Sequence, residues 1–173
     1  IFLDEIQNTS PALQAKLLRV IELGEVRPVG GTKARRVDVR LIAASNSDLV
    51  AAVARGQFRS DLYYRLDRFP IQLPPLRDHP DDILPLARHF TATTCASLGC
   101  TSSRLDSRAE AALLAYAWPG NIRELRNAIE RALLLTKPNE PVRWDVLPDA
   151  IRRAGSAEEP AGGLDAQVAE LER

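Results

Sequence analysis

The chain opens with an apolar run that ends in two adjacent carboxylates. Residues 1–6 read Ile-Phe-Leu-Asp-Glu-Ile, and an uninterrupted apolar run is typical of a strand that is buried on both faces of a parallel sheet. Ligands of such sheets bind beyond the carboxyl ends of the strands. The pattern therefore predicts a short core strand that delivers Asp4 and Glu5 to a cleft. An ordinary strand end with two solvated acids is the alternative.

A helix and a hairpin-like loop follow. Ser10 suits the N-cap, Pro11 suits the first helical position and Gly24 suits the stop. These signals predict a helix over residues 10–23. Residues 25–33 then predict a hairpin-like loop with a basic tip. The apolar positions of the helix recur at helical spacing and predict one apolar face, formed by Leu13, Leu17, Val20 and Ile21.

A second core strand is predicted over residues 37–44, where an alternating run at residues 37–40 becomes fully apolar at residues 41–44. The strand ends in a polar pair whose second member is Asn46. If the two core strands lie side by side, Asn46 faces the same cleft as Asp4 and Glu5, because parallel strands end at the same edge of a sheet.

Short elements complete this half of the chain. Residues 47–56 predict a short helix, and residues 58–66 predict an amphipathic helix that carries Arg59 and Arg65. Residues 69–73 predict a brief strand that two prolines stop. Together with the first two strands, these segments predict an α/β unit.

The composition changes near residue 76, and the elements predicted beyond it are helices. A Trp-Pro-Gly-Asn connection at residues 118–121 separates two of them, and its tryptophan is expected to be a packing residue. Residues 154–163 predict a flexible linker, and residues 164–173 begin a further helix. The predicted helices of this half cover residues 80–98, 106–117, 120–136 and 144–153.

Composition limits the classes of function. The chain has 173 residues, of which 45% are hydrophobic and 27% charged, as in an ordinary soluble domain. Its net charge of zero gives no global electrostatic case for binding nucleic acid or an anionic membrane. No apolar stretch approaches the length of a membrane span, and no signal peptide is visible. The chain contains no Met and begins inside an apolar strand, which predicts a piece of a longer cytoplasmic polypeptide.

The cysteines and histidines suggest no metal chemistry. Cys95 and Cys100 lie near each other in the sequence without a Cys/His cluster around them. This spacing predicts neither a disulfide framework nor a zinc site, so reduced thiols are expected. His79 and His89 are isolated and are assigned no function.

The segments, taken in order and spacing, resemble the AAA+ domain of bacterial sigma-54-dependent transcriptional activators. The resemblance covers roughly residues 1–152, and the joint pattern is more specific than any one motif. Residues 1–6 resemble the Walker B strand, residues 13–31 the helix and loop after it, residues 41–46 the sensor I strand, residues 58–66 the arginine-finger helix, residues 73–77 a further family stretch and residues 118–125 sensor II.

The resemblance implies a fold and a division of the chain. Residues 1–76 would be the C-terminal part of the α/β core of a P-loop NTPase, and residues 77–153 its all-α lid. Residues 154–173 would be a linker and the start of a helix that leads to a DNA-binding domain beyond this chain.

The resemblance also implies roles in ATP hydrolysis. Asp4 would hold Mg²⁺, and Glu5 would orient the water that attacks the γ-phosphate of ATP. Asn46 does not titrate near neutral pH, which suits a purely hydrogen-bonding role between the acid pair and the γ-phosphate. Arg59 and Arg65 would reach the nucleotide of the neighbouring subunit in a ring, expected to be a hexamer.

Arg123 would bind nucleotide within its own subunit and couple the lid to the nucleotide state. The implied function is an ATP-hydrolysing module that remodels the sigma-54 RNA polymerase holoenzyme to allow promoter opening. The phosphate-binding loop GxxxxGK[ST] and the sigma-contacting loop GAFTGA do not occur in these residues. This chain alone is therefore expected to be inactive.

The sequence departs from the family pattern beside the implied site. Gln7 and Asn8 stand where Gly and an acid are usual, Ser45 replaces a Thr, and Ser47 replaces a common basic residue. These departures remove no catalytic group and affect only the tuning of the sensor loop.

Other interpretations remain open at this point. The Arg-rich helix at residues 120–136 could belong to a non-catalytic DNA-binding module, although its interleaved acids and the zero net charge argue against it. Pairs such as Arg126 with Glu130 need no ligand, and Arg59 beside Asp61 could be a solvated helix face. A third interpretation is a different AAA+ machine, such as a helicase or another remodeller.

Overall fold

The computed structural model describes residues 1–28, 30–31, 33–100, 104–137 and 140–156. The chain forms two compact units, Ile1–Gln72 and Leu73–Arg173. The first unit is mixed α/β and the second is built from helices, which confirms the predicted fold class. Most of the predicted linker and all of the last predicted helix lie outside the described residues.

The elements follow one another as short strands and helices, joined by single 3₁₀ turns at Ile6–Asn8, Leu76–Asp78 and Trp144–Val146. In chain order they are β1 (Phe2–Leu3), α1 (Pro11–Leu23), β2 (Glu25–Val26), β3 (Arg35–Arg36), β4 (Ile42–Ala43), α2 (Leu49–Ala54), α3 (Ser60–Leu66), α4 (Pro80–Leu98), α5 (Ser107–Ala115), α6 (Asn121–Leu135) and α7 (Asp149–Ser156).

The two predicted core strands are neighbours. β1 and β4 pair in parallel, with Leu3 opposite Ala43. Backbone hydrogen bonds extend the pairing beyond both strands, since the amide of Ala44 donates to the carbonyl of Leu3 at 2.8 Å and the amide of Ile6 donates to that of Ala44 at 3.0 Å. β2 and β3 form the predicted hairpin as a separate antiparallel pair.

The ends of α1 carry the predicted signals. The hydroxyl of Ser10 accepts a hydrogen bond from the amide of Leu13 at 3.3 Å, and Pro11 is the first helical residue. Gly24 ends the helix with a φ of 64°, a left-handed conformation in which glycine has no Cβ penalty. Local chemistry is therefore enough to set the bounds of this helix.

The buried face of α1 differs from the predicted one. Leu17 and Ile21 pack against a core formed by Ile6, Ala52, Phe58 and Leu62, but Leu13 is exposed. The buried position in this part of the helix is Gln14, which is 1% exposed. The prediction rested on apolar spacing, and it was wrong at Leu13 because the hydrogen-bonded side chain of Gln14 takes the inward place.

Three strand predictions in the first unit were wrong. β1 and β4 are not buried on both faces, because the described sheet has only two strands and Phe2 is 63% exposed. The alternating run at residues 37–40 is not a strand, and the hairpin uses the preceding arginines instead. Residues 69–73 have no strand partner in the described part of the chain, and Phe69 is 91% exposed there.

The second unit buries one apolar core between its helices. α4 packs against α6, and α5 packs against α7 and α4. The largest fully buried apolar side chains of this core are Ile83, Leu113, Trp118, Leu125, Ile129, Val142 and Ile151. None of the described helices in either unit is long and apolar enough to cross a bilayer.

The Trp-Pro-Gly-Asn connection is a packing device, as predicted for its tryptophan. Trp118 is completely buried, and its indole N–H donates to the carbonyl of Leu113 at 2.9 Å. The carboxylate of Glu124 accepts the amide hydrogen of Gly120 at 2.7 Å and the hydroxyl hydrogen of Tyr116 at 3.0 Å. Side-chain bonds therefore hold the start of α6 against the end of α5.

The two cysteines form a disulfide, so the expectation of reduced thiols was wrong. Gly99 ends α4 in a left-handed conformation with a φ of 71° and turns the chain back on itself. The amide of Cys100 then donates to the carbonyl of Cys95 at 3.1 Å, and the two Cα atoms lie 5.1 Å apart. The helix end brings the thiols together, and residue spacing alone does not reveal it.

Gly155 provides a test of the packing between α5 and α7. A Cβ atom added there would lie 2.7 Å from the Cβ and 2.8 Å from the Cα of Ala112. Alanine normally favours a helix over glycine by about 1 kcal/mol, but overpacking costs about 1–3 kcal/mol. We therefore expect Gly155→Ala to destabilise the second unit.

Urea unfolding measured by tryptophan fluorescence will test this expectation, because both tryptophans, Trp118 and Trp144, lie in the second unit. Ser156→Ala, on the exposed side of the same helix, is the matched control and should leave the midpoint nearly unchanged. A higher midpoint for Gly155→Ala would show that the two helices are not in close contact.

Candidate active site

The carboxyl ends of β1 and β4 bring an acid and an amide together. Asp4 and Glu5 follow β1, and Asn46 lies just beyond β4. The side-chain amide of Asn46 donates to Oε1 of Glu5 at 3.4 Å. Of the predicted site residues, these three therefore share one edge of the sheet.

The backbone of Glu5 has an unusual conformation. Its φ and ψ are 51° and 50°, a left-handed conformation that non-glycine residues adopt rarely and that recurs at functional sites. The amide of Glu5 donates to Oδ1 of Asp4 at 3.0 Å. The chain turns at this residue and enters the 3₁₀ turn Ile6–Asn8.

Two amide side chains hold the carboxylate of Glu5. Asn8 donates to Oε2 at 3.0 Å, and Asn46 donates to Oε1 at 3.4 Å. Gln7 donates in turn to the side-chain oxygen of Asn46 at 2.7 Å, and the hydroxyl of Ser45 donates to the side-chain oxygen of Gln7 at 2.9 Å. Each carboxylate oxygen thus has a neutral hydrogen-bond donor.

Gln7 and Asn8 are the site residues that the motif analysis did not assign. They stand at positions where the sequence departs from the family pattern, and both belong to the network around Glu5. The available signal was the spacing, since an amide three residues after an acid in a tight turn can fold back onto that acid.

Asp4 suits a magnesium ion that binds through few protein ligands. Its carboxylate is exposed, and the described hydrogen bonds use only Oδ1. Mg²⁺ usually keeps several waters and binds through one or two carboxylates together with substrate phosphates. The described residues contain no cluster of three His, Cys, Asp or Glu side chains that could form an all-protein metal cage.

Arg59 is engaged by an acid of its own helix. It is the N-cap residue of α3, and its guanidinium donates two hydrogen bonds to Asp61, at 3.0 and 2.7 Å. These hydrogen bonds raise the pKa of Arg59 above its usual value. They also hold the pKa of Asp61 below its usual value. Both side chains are about half exposed.

Arg65 has an ion-pair partner within the first unit, and Arg123 belongs to the second unit. Arg65 is in the last turn of α3 and donates to Glu22 of α1 at 3.0 Å. Neither Arg59 nor Arg65 has a described hydrogen bond or ion pair with Asp4, Glu5 or Asn46. Arg123 lies in the first turn of α6 in the second unit, where it is exposed and forms no ion pair with another described residue.

Comparison with known families agrees with this arrangement of strand ends and helices. Residues 1–72 match the sigma-54 interaction domain, and residues 77–163 match the AAA+ ATPase lid domain. The chain belongs to the AAA+ domains of sigma-54-dependent transcriptional activators. This AAA+ chain covers the C-terminal portion of such a domain, from the Walker B strand through the lid.

Individual relatives of the AAA+ chain are bacterial regulators. The transcriptional regulatory protein XylR of Pseudomonas putida is 48% identical over 147 residues, which are 85% of this chain and 26% of XylR. The sigma54-dependent transcriptional activator SfnR of Pseudomonas putida is 45% identical over 162 residues, which are 94% of this chain and 44% of SfnR. The chain thus spans less than half the length of either relative.

Solved structures of NtrX from Brucella abortus share the fold. The complex with ADP superposes with a TM-score of 0.81 and 35% identity, over 99% of this chain and 39% of that one. The complex with ATP has a TM-score of 0.79 and 38% identity, over 87% of this chain and 36% of that one.

The pairing of Arg59 with Asp61 predicts a titration result. Asp61 should titrate below its ordinary value of 3.8, because the hydrogen bonds from Arg59 favour the ionised carboxylate. A depressed folded-state pKa stabilises the fold above the unfolded pKa, and this contribution is lost as the pH falls through the folded pKa, below about pH 4. The side-chain carbon shift of Asp61, followed by NMR as a function of pH, measures this value.

Arg59→Ala should move the Asp61 midpoint back up towards 3.8. Arg55→Ala is the matched control, because Arg55 is an exposed arginine whose described side-chain bond goes to Gln57. An Asp61 midpoint that is the same with and without Arg59 would contradict the described ion pair.

Proposed function

We propose that this chain is the hydrolysis and lid portion of an ATP-driven transcriptional activator that remodels the sigma-54 RNA polymerase holoenzyme for promoter opening. The observation that carries the proposal is the contact between Glu5 and Asn46 at the ends of two parallel strands, in a chain of this family. The sigma-54 interaction match of residues 1–72 favours this target over that of a different AAA+ machine.

The proposed chemistry depends on positioning and charge. Glu5 orients the attacking water, and Asn46 holds the carboxylate of Glu5 on one side while offering its amide to the γ-phosphate. Asp4 is the residue that would hold Mg²⁺, which neutralises charge on the phosphate oxygens when bound. The described hydrogen bonds support this division, since Asn8 and Asn46 hold both oxygens of Glu5 whereas the bonds of Asp4 use only Oδ1.

The arginines are proposed to act across a subunit boundary in a ring, which we take to be a hexamer. Arg59 and Arg65 contact Asp61 and Glu22 rather than the acid pair of their own chain. Exposed ion pairs of this kind contribute little to stability. The guanidinium groups can therefore leave these partners and contact the nucleotide of a neighbouring subunit. An arginine finger is worth about 10³–10⁵ in rate, which makes hydrolysis dependent on assembly.

The proposal also assigns a role to the lid and divides the chain into domains. Arg123 would contact nucleotide in its own subunit, and the ADP and ATP complexes of NtrX support a nucleotide as the ligand. We assign residues 1–76 to the α/β core, residues 77–153 to the lid and residues 154–173 to a linker. DNA contact would come from a domain outside this chain, and the protein would act in the cytoplasm.

The structure of α6 gives no support to a direct DNA-binding module. Arg126 donates to Glu130 of the same helix at 2.7 Å, so acids on this face compete with phosphate for its arginines.

Because GxxxxGK[ST] does not occur in the chain, we expect no ATP turnover from these residues alone. The experiments below therefore use the chain joined to a phosphate-binding loop, in the full-length protein.

Glu5→Gln separates binding from hydrolysis. The substitution preserves the shape of the side chain but removes the carboxylate that orients water, so ATP should bind normally while turnover falls at least 10²-fold, the order expected for loss of a general base. Asp4→Ala should in addition weaken the Mg²⁺-dependent part of ATP binding. Nucleotide titrations and steady-state turnover measure both effects. Wild-type turnover in Glu5→Gln would remove Glu5 from the mechanism.

Mixed rings test the action of Arg65 across the boundary. Arg65→Ala and Glu5→Gln subunits should each be nearly inactive, yet a mixture should regain turnover. At some interfaces the intact acid of one subunit meets the intact arginine of the other. Size measurements must show that mixed rings form. Mixed rings without turnover at any ratio would return Arg65 to a structural role as the ion-pair partner of Glu22.

A further inference from the structure

Gln14 is a buried polar residue in a helix that otherwise turns apolar side chains inward. It is 1% exposed and lies one turn into α1. Burying a side-chain amide is unfavourable unless its polar atoms are hydrogen-bonded. The residue therefore has to be explained by its partners, and each of them lies outside α1.

The side chain of Gln14 makes three hydrogen bonds with backbone atoms. Its Nε2 donates to the carbonyl of Thr9 at 2.9 Å and to the carbonyl of Gln57 at 3.2 Å. Its Oε1 accepts the amide hydrogen of Arg59 at 3.0 Å. Both hydrogens of the amide group and its oxygen are thus in use, and every partner belongs to the main chain.

These bonds join the two functional segments of the first unit. Thr9 closes the turn that begins at Glu5, since its amide and its hydroxyl both donate to the carbonyl of Ile6, at 3.1 and 2.6 Å. Arg59 is the N-cap residue of α3, and its own side chain does not cap that helix end. One buried amide therefore connects the backbone of the acid-bearing turn to the backbone of Arg59.

We propose that Gln14 is a positioning residue that fixes Arg59 and the start of α3 relative to the turn that carries Glu5. The inference rests on the proposed function, in which Arg59 completes the site of a neighbouring subunit. An error of about 1 Å in such a group can cost about 10²-fold in rate. Among the described residues, the guanidinium of Arg59 pairs only with Asp61 of its own helix, so the hydrogen bond from its backbone amide to Gln14 is what ties Arg59 to the turn that carries Glu5.

Gln14→Met tests the anchor directly. Methionine has a similar length and an apolar character, but it can make none of the three hydrogen bonds. We expect kcat for ATP in the full-length protein to fall roughly 10- to 100-fold, with KM within about twofold. The matched control is Gln57→Met, which exchanges an exposed side chain and leaves its backbone carbonyl available to Gln14; it should keep wild-type kcat.

Mixing experiments then assign the defect to one side of the interface. If Gln14 positions Arg59, Gln14→Met subunits have an intact acid pair and a defective arginine. Turnover should then recover with Glu5→Gln subunits and not with Arg65→Ala subunits. The opposite pattern, or unchanged kcat in Gln14→Met, overturns the proposal. A general loss of folding would produce neither selective pattern.

Two further measurements keep the test decisive. If Gln14→Met does not fold, Gln14→Glu replaces it: a carboxylate still accepts the amide hydrogen of Arg59 but cannot donate to the carbonyls of Thr9 and Gln57, so the link between Arg59 and the turn is broken and kcat should also fall. Wild-type turnover in Gln14→Glu would overturn the proposal. Hydrogen exchange of the Arg59 amide in this chain should be fast in Gln14→Met and slow in Gln57→Met.

The exchange measurement does not depend on ATP. If Glu5→Gln retains wild-type turnover, the proposed function fails, while the exchange rates still decide whether Gln14 holds the backbone of Arg59. Equal exchange rates in the two variants would overturn the anchor whatever the activity.

Discussion

The parallel pairing of β1 with β4 is the constraint on which the candidate site depends. Because the two strands run in the same direction, their carboxyl ends meet at one edge, and Glu5 and Asn46 come within 3.4 Å of each other. A one-residue shift of register would turn every side chain of a strand to the opposite face. The pairing of Leu3 with Ala43 therefore places the acid and the amide and also directs the core side chains.

In the first unit, the acid pair of Asp4 and Glu5 has no described ion pair with Arg59 or Arg65. The carboxylate of Glu5 is held by neutral amides, and no described basic side chain pairs with Asp4 or Glu5. Arg59 and Arg65 are instead held by other carboxylates of the same unit. The acid pair and the two arginines thus have separate sets of partners, and the arginines occupy exposed positions at and within α3.

The lid depends on a connection with an unusual backbone. Trp118 and Asn121 both have positive φ, 51° and 53°. Asparagine tolerates this conformation, whereas a bulky aromatic residue rarely adopts it. Complete burial of the indole and its bond to Leu113 hold the strained residue in place, and the side chain of Asn121 accepts the amide hydrogen of Leu76 at 2.9 Å. The direction in which α6 leaves this turn follows from these contacts.

The sequence by itself determined the features that local chemistry controls. The cap residues set the bounds of α1, the apolar runs located both core strands, and the acids and Asn46 could be assigned to strand ends. Tertiary structure alone decided that Gln14 turns inward, that Gln7 meets Asn46, and that residues 69–73 do not form a strand. Burial and pairing depend on which distant segments share a face, and residue spacing within one segment does not contain that information.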